Sequence, residues 1–153
     1  MNNMKIYADT SIFGGVFDKE FSTPSKKFFQ LVDSKRITLV TSAVVKAEIE
    51  YAPNNIQIFF ERYASISEIA DIDERVLKLR DEYIKAGIVT KNSMDDALHV
   101  AIATLSRCDI IVSWNFKHIV HYDKIPKYNA VNILFGYTQI DIFSPLEVID
   151  YDE

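Results

Sequence analysis

Cysteine is nearly absent from this 153-residue sequence: Cys108 stands alone. A single thiol excludes an internal disulfide and fits a reducing compartment. Long apolar runs are missing too. The longest are short and interrupted by charge, so none reaches the length that crosses a membrane. Met1-Asn2-Asn3-Met4-Lys5 leads straight into a strand-like run with no signal-peptide pattern, and the expected location is the cytoplasm. Basic charge is not in excess either, since 17 Lys and Arg face 22 Asp and Glu for a formal net charge of -5. Proteins that coat a duplex usually show a basic face. The charge argues against that class, although a metal ion can supply the positive charge that meets a phosphate. No internal repeat, low-complexity tract or linker divides the chain.

What is present is an ordinary globular composition, 48% hydrophobic and 25% charged. The length predicts one domain over residues 1–153 with a sizeable core. Met4 to Ala8 reads as a strand ending on Asp9-Thr10-Ser11, after which Gly14 and Gly15 allow a tight change of direction. Thr23-Pro24-Ser25 opens a helix to about Ser34, with Pro24 suited to its first turn. Ile37 to Thr41 is a β-branched strand. Ser42 starts a helix that ends before Pro53, and Asn54 to Ala64 repeats the helical pattern. A short strand over Ile66 to Ala70 precedes an amphipathic helix from Ile72 to Ala86, with Val76, Leu79, Tyr83 and Ala86 on one side and Gly87 as stop signal. Ser93 to Leu105 is apolar nearly all round, the mark of a buried helix. Ile110-Ile111-Val112 reads as a central parallel strand. A helix over Asp123 to Phe135, interrupted or preceded by Pro126, a last strand at Ile140 to Phe143, and Pro145 to Ile149 follow. Strands alternating with helices predict an α/β fold with a mainly parallel sheet.

Four places carry acids or amides where chemistry is expected. Asp9 follows the first strand, and sites in open α/β sheets form outside strand carboxyl ends; the competing use is a cap for the turn that follows. Glu48 falls in the middle of the arc defined by Val44, Val45, Ile49 and Ala52, so it points towards the core, whereas Glu50 faces outward. Inward acids are rare unless paired or metal-bound, and the alternative is a buried salt bridge to Arg or Lys. Asp95 and Asp96 begin the buried helix. Ser93 with Asp96 three residues on is a capping-box spacing, and first-turn acids favour the helix dipole. On the helical wheel Asp96 shares a strip with His99 and Ala103, while Asp95 lies towards Ile102 and His99. Ser113 and Asn115 sit at the end of the apolar strand, where Asn115 also suits a helix cap. Converging carboxylates repel and raise one another's pKa unless a cation neutralises them. Oxygen donors alone suit Mg²⁺ or Mn²⁺.

At these residues the sequence resembles the PIN domain, especially the VapC-like toxin ribonucleases. The resemblance runs through Tyr-Ala-Asp-Thr-Ser (7–11), Ala-Glu-Ile-Glu (47–50), Asp-Ala-Leu-His-Val-Ala-Ile-Ala (96–103) and Ile-Val-Ser-Trp-Asn-Phe (111–116), in order and over nearly the whole chain. It implies a three-layer α/β/α fold around a sheet of about five strands, and a metal-dependent endoribonuclease acting as the toxin of a type II toxin–antitoxin system. Asp9, Glu48 and Asp96 are then the catalytic, metal-binding acids, and Asp95 is an extra neighbour. Many members have a fourth acid where this chain has Asn115. An amide oxygen can ligate Mg²⁺ or orient water but adds no charge, which argues against a second metal. Thr10, Ser11 and Ser113 are candidates to hold water or phosphate oxygens. His99 is either an assisting group or a buried histidine bonded to an acid or a carbonyl. Lys117 and His118 begin a run of basic and aromatic side chains suited to single-stranded RNA, or to an ordinary surface helix. The resemblance further implies an antitoxin partner and a homodimer.

Expected chemistry is hydrolysis of a phosphodiester by water activated at one Mg²⁺ or Mn²⁺, with a carboxylate accepting the proton. Other classes fit less well. A haloacid-dehalogenase-type phosphatase needs a second Asp where Ser11 stands. A response-regulator receiver needs an early acid pair that the first strand lacks. A non-catalytic PIN-like module that binds RNA or a protein is the remaining alternative, kept open by Asn115.

Overall fold

The computed structural model describes residues 3–149; the expected domain bounds of 1 and 153 lie outside them. Five strands form one sheet: β1 (Met4–Ala8), β2 (Ile37–Thr41), β3 (Glu68–Ile69), β4 (Ile110–Val112) and β5 (Asp141–Phe143). Their order is β3-β2-β1-β4-β5, and every pairing is parallel. Among the described residues eight α-helices accompany the strands: α1 (Thr10–Gly15), α2 (Ser22–Asp33), α3 (Ala43–Ile49), α4 (Asn54–Ala64), α5 (Glu74–Lys85), α6 (Met94–Leu105), α7 (Ile125–Leu134) and, after β5, α8 (Pro145–Ile149). α1 packs on α2, α3 and α4, and α2 on α8; α5 packs on α6 and α7. The result is the expected three-layer α/β/α arrangement with a central parallel sheet.

The sheet forms where the sequence is most continuously apolar. Ile110, Ile111 and Val112 are all buried, as are Ile6, Tyr7 and Ala8 beside them in register. Strands covered on both faces need such runs. Asp109 starts this central pair: its carboxylate accepts the Lys5 amide at 2.8 Å, while its own amide donates to the Lys5 carbonyl at 2.8 Å. The chain winds from β1 to β2 and β3, then returns to place β4 on the other side of β1. The order therefore switches between β1 and β4, and the crevice beyond their carboxyl ends is where an open α/β sheet builds its site.

Several local expectations change. Gly14 and Gly15 do not make the turn; they lie inside α1, and the change of direction comes after Val16. Gly15 is needed for space, because Trp114 and Ser25 pack against it. The helix at Ser42 stops at Ile49, so Ala52 is outside the arc that placed Glu48. Ala86 is exposed at the end of α5, while Val76, Leu79 and Tyr83 are buried as expected. Gly87 follows with φ 77 and completes the left-handed helix stop. Pro126 neither breaks nor precedes α7 but sits in its first turn. The capping box is absent. A 3₁₀ turn, Lys91–Ser93, leads into α6 and leaves Ser93 with no side-chain cap bond. Its hydroxyl instead pairs with Nε2 of His118 at 3.3 Å.

Candidate functional site

The crevice at the β1/β4 switch is built from side chains that are far apart in sequence. Asp9 follows β1 and caps α1, the capping use weighed for it. It is only 4% exposed. Its Oδ1 accepts from the Ser11 amide at 3.1 Å and the Ser11 hydroxyl at 2.5 Å; its Oδ2 accepts from the Ser113 hydroxyl at 2.6 Å. Each serine also accepts a backbone donor from the segment after β4: Ser11 Oγ from the Trp114 amide at 2.9 Å, Ser113 Oγ from the Asn115 amide at 2.9 Å. Two hydroxyls thus stitch the carboxyl ends of β1 and β4 around one buried carboxylate.

Glu48 comes from α3, and its side chain is 34% exposed rather than turned into the core. Oε1 accepts from Thr10 Oγ1 at 2.8 Å and from His99 Nε2 at 2.6 Å. Its partner is therefore a histidine, not the Arg or Lys of the simpler expectation. His99 is 2% exposed on α6, with Nδ1 2.8 Å from the Tyr7 hydroxyl. Asp96, one turn earlier on α6, is half-buried, and its Oδ1 accepts from Asn115 Nδ2 at 3.0 Å. Asp95 is exposed and lines a groove of about 530 Å³ with Val44, Ala47, Tyr51 and Leu98.

Asn115 does not cap a helix, since a turn follows. Its Oδ1 accepts the amides of Lys117 at 3.2 Å and His118 at 2.9 Å, so the amide nitrogen, not the oxygen, faces Asp96. Lys117 is exposed; His118 is half-buried behind the turn with its ring towards Ser93.

The electrostatics follow from this packing. Burial is the largest influence on Asp9 and raises its carboxyl above the ordinary range; His99 and the two serine bonds oppose it, and Asp96 adds to it. Burial likewise raises Asp96, with the Glu48 charge adding, against His118, His99 and Asn115. Glu48 shifts the other way: burial pushes up, but the bond and charge of His99 and the Thr10 bond outweigh it. His99 is raised despite burial, through its Glu48 bond and the charges of Asp9, Glu48 and Asp96. Among the described residues, the one ion-pair contact to any of these acids is that of His99 Nε2 with Glu48, and no lysine or arginine pairs with them. The site thus brings together acids that lack lysine or arginine counter-ions, as a cation site would.

The donors are carboxylate and hydroxyl oxygens, which suit a hard divalent ion. The side chains do not close a cage: among the described residues no three His, Cys, Asp or Glu groups stand in metal-holding positions. The sequence did not reveal Tyr7 or Ser42, whose hydroxyls meet at 2.8 Å behind His99; nothing in a strand tyrosine or a helix-capping serine marks it as part of a site.

A family model described as PIN domain matches residues 5–117. Comparison with curated proteins gives no match. Two solved structures share the fold. The crystal structure of VapBC2 from Rickettsia felis bound to a DNA fragment from their promoter aligns over 91% of this chain and 97% of that chain, with a TM-score of 0.60 and 18% identity. That of FitAcB from Neisseria gonorrhoeae aligns over 92% of this chain and 98% of that chain, with a TM-score of 0.53 and 14% identity. Among the described residues no helix is long and apolar enough to cross a membrane.

Proposed function

Since the chain belongs to the PIN domain family, we propose that it is a metal-dependent endoribonuclease, the toxin of a type II toxin–antitoxin pair. The observation that carries this reading is that Asp9, Glu48 and Asp96 come from three elements to the strand switch, where the charges of all three act on His99 and Glu48 is bonded to it. Asp9 and Asp96, both raised in pKa, are the acids that a Mg²⁺ or Mn²⁺ ion would relieve, and Glu48 completes the set. Such an ion supplies positive charge to the scissile phosphate and activates water. The chain does the rest. Ser11 and Ser113 hold Asp9, and Asn115 Nδ2 holds Asp96. Thr10 and His99 hold one oxygen of Glu48 and leave the other for the ion, and a carboxylate the ion does not fully engage would accept the proton of the attacking water. Lys117, exposed beside Asn115, is the candidate phosphate contact. With Asn115 turned to its own backbone, one metal suffices for this arrangement.

The two structural neighbours support a partner. One is VapBC2, bound to a DNA fragment from its promoter, and the other is FitAcB. An antitoxin would have the apolar groove beside Glu48 available, where Tyr51 is 92% exposed. A homodimer is part of the same proposal. The test is incubation of purified protein with structured and unstructured RNAs in Mg²⁺, Mn²⁺ or EDTA, beside Asp96→Asn. Cleavage that persists in EDTA, or is unchanged in the variant, overturns the mechanism. RNA binding without cleavage in any metal would favour a non-catalytic module.

A further inference from the structure

We propose that His99 and Tyr7 are positioning residues for Glu48, fixing one carboxylate oxygen so that only the other is offered to the site. The inference rests on the nuclease reading. Both hydrogen bonds to Glu48 fall on the same atom: Oε1 accepts from Thr10 Oγ1 at 2.8 Å and from His99 Nε2 at 2.6 Å. Oε2 has no partner among the described residues, so it is the oxygen left for a ligand or a proton.

The imidazole is itself held. His99 Nδ1 lies 2.8 Å from the Tyr7 hydroxyl, which lies 2.8 Å from Ser42 Oγ. Ser42 caps α3, where its Oγ accepts the Val45 amide at 3.4 Å. The chain of contacts therefore starts on Glu48 of α3, crosses α6 and β1, and returns to the first turn of α3. This closure matters because α3 has only seven residues and buries only Val45 and Ile49, so its own packing gives Glu48 little restraint.

The donor pattern supports a positional role in either charge state of His99. With a neutral ring, Ser42 donates to Tyr7, Tyr7 donates to Nδ1, and Nε2–H donates to Glu48. With a charged ring, Nδ1–H donates to Tyr7 and Tyr7 donates to Ser42, while Nε2–H still donates to Glu48. Nε2–H donates to Glu48 in both patterns, whereas the Ser42 proton has a receiver within this chain of contacts only in the first. Neither Tyr7 nor His99 needs to touch substrate; both act through Glu48, as partners behind a ligand commonly do.

The test uses Tyr7→Phe, which removes one buried hydroxyl, with His99→Gln and His99→Leu. Two quantities are read: steady-state cleavage of single-stranded RNA, and the Mn²⁺ concentration that gives half of the metal-dependent rise in Tm. Tyr7→Phe should lower kcat and weaken Mn²⁺ by about 10- to 100-fold, the usual effect of losing a residue behind a ligand, with KM for RNA little changed. His99→Gln, which keeps an N–H donor, should retain more activity than His99→Leu. A Tyr7→Phe protein with a lower metal-free Tm but wild-type kcat and Mn²⁺ midpoint would show a purely structural role and overturn the proposal. If Tyr7→Phe does not fold, equal activities of the two His99 variants overturn it instead. A wild type that neither cleaves RNA nor responds to Mn²⁺ overturns the nuclease reading and this inference together.

Discussion

Alanine at Gly15 should destabilise the protein, against the usual effect of replacing a helical glycine. A Cβ there would lie 2.6 Å from Ser25 Oγ, 2.7 Å from Trp114 Nε1 and 2.9 Å from Trp114 Cδ1. None of these atoms is the end of a flexible side chain. Trp114 Nε1 donates to buried Ser25 Oγ at 2.9 Å, and the indole stacks on Phe21 at a centroid distance of 4.2 Å. Inserting a methyl into such packing costs about 1–3 kcal/mol. Weakening the Trp114–Ser25 bond adds about 1 kcal/mol, while the alanine returns about 0.5–1 kcal/mol of helix propensity. The net loss is about 1–3 kcal/mol. At about 2–4 °C per kcal/mol for a chain of this size, Tm falls by about 2–12 °C. Gly14→Ala is the control, since its Cβ would meet only Ile56 Cδ1 at 4.0 Å, an ordinary contact. It should match the wild type or gain slightly. Activity should fall with Gly15→Ala, because the Trp114 amide is bonded to the serine that holds Asp9. Thermal and urea unfolding of both variants checks the argument. A Gly15→Ala protein as stable as Gly14→Ala refutes it.

The acids give a pH dependence whose sign is fixed. Asp9 and Asp96 have folded-state pKa values above their ordinary 3.8. The stability they contribute is full below that value and is lost as pH rises through their folded values. Metal-free Tm should therefore fall over that rise, and Asp96→Asn should show a shallower fall by calorimetry; an identical profile would count against the charge argument. Mn²⁺ at about 100 times its Kd should add about 2.7 kcal/mol, or about 5–11 °C in Tm, and Asp9→Asn should lack that rise; a flat wild-type response would exclude a metal site. Far from the site, Tyr83 donates to Asn132 Oδ1, and Asn132 Nδ2 donates to Thr104 Oγ1 at 3.2 Å, all in the buried layer behind α6. Tyr83→Phe leaves a buried acceptor unpaired at about 1–3 kcal/mol, and an unchanged urea midpoint would refute this.

The fold was legible wherever hydrophobic period and burial coincide. Met4 to Ala8, Ile37 to Thr41 and Asn54 to Ala64 are read to the residue because apolar runs and flanking punctuation agree. The all-round apolar stretch from Ala97 to Thr104 is buried for the same reason. What failed was local chemistry that tertiary contacts override. Ser93 has the spacing of a capping box, yet the 3₁₀ turn before α6 gives it other dihedrals and His118 takes its hydroxyl. The glycine pair looks like a turn in sequence, yet Gly15 answers to an indole about a hundred residues away in the chain.

The site was legible as a set of residues and not as an arrangement. Asp9, Glu48 and Asp96 stand out because acids at strand ends and helix starts are individually costly to bury. Their orientation depends on bonds of long sequence separation, such as Tyr7 to His99 and His99 to Glu48, which no periodicity encodes. Asn115 makes the point most sharply. The family resemblance puts it where a fourth acid is expected, and its oxygen would be the donor to a metal in the proposed site. The backbone amides of Lys117 and His118 take that oxygen and turn the nitrogen to Asp96. An aspartate here would still accept both amides, but its second oxygen would then face Asp96 and repel it. The amide instead donates, so Asn115 lowers the charge of the crevice by one and orients Asp96 as well. In the proposed one-metal site that leaves one acid fewer for a cation to neutralise and one more internal donor.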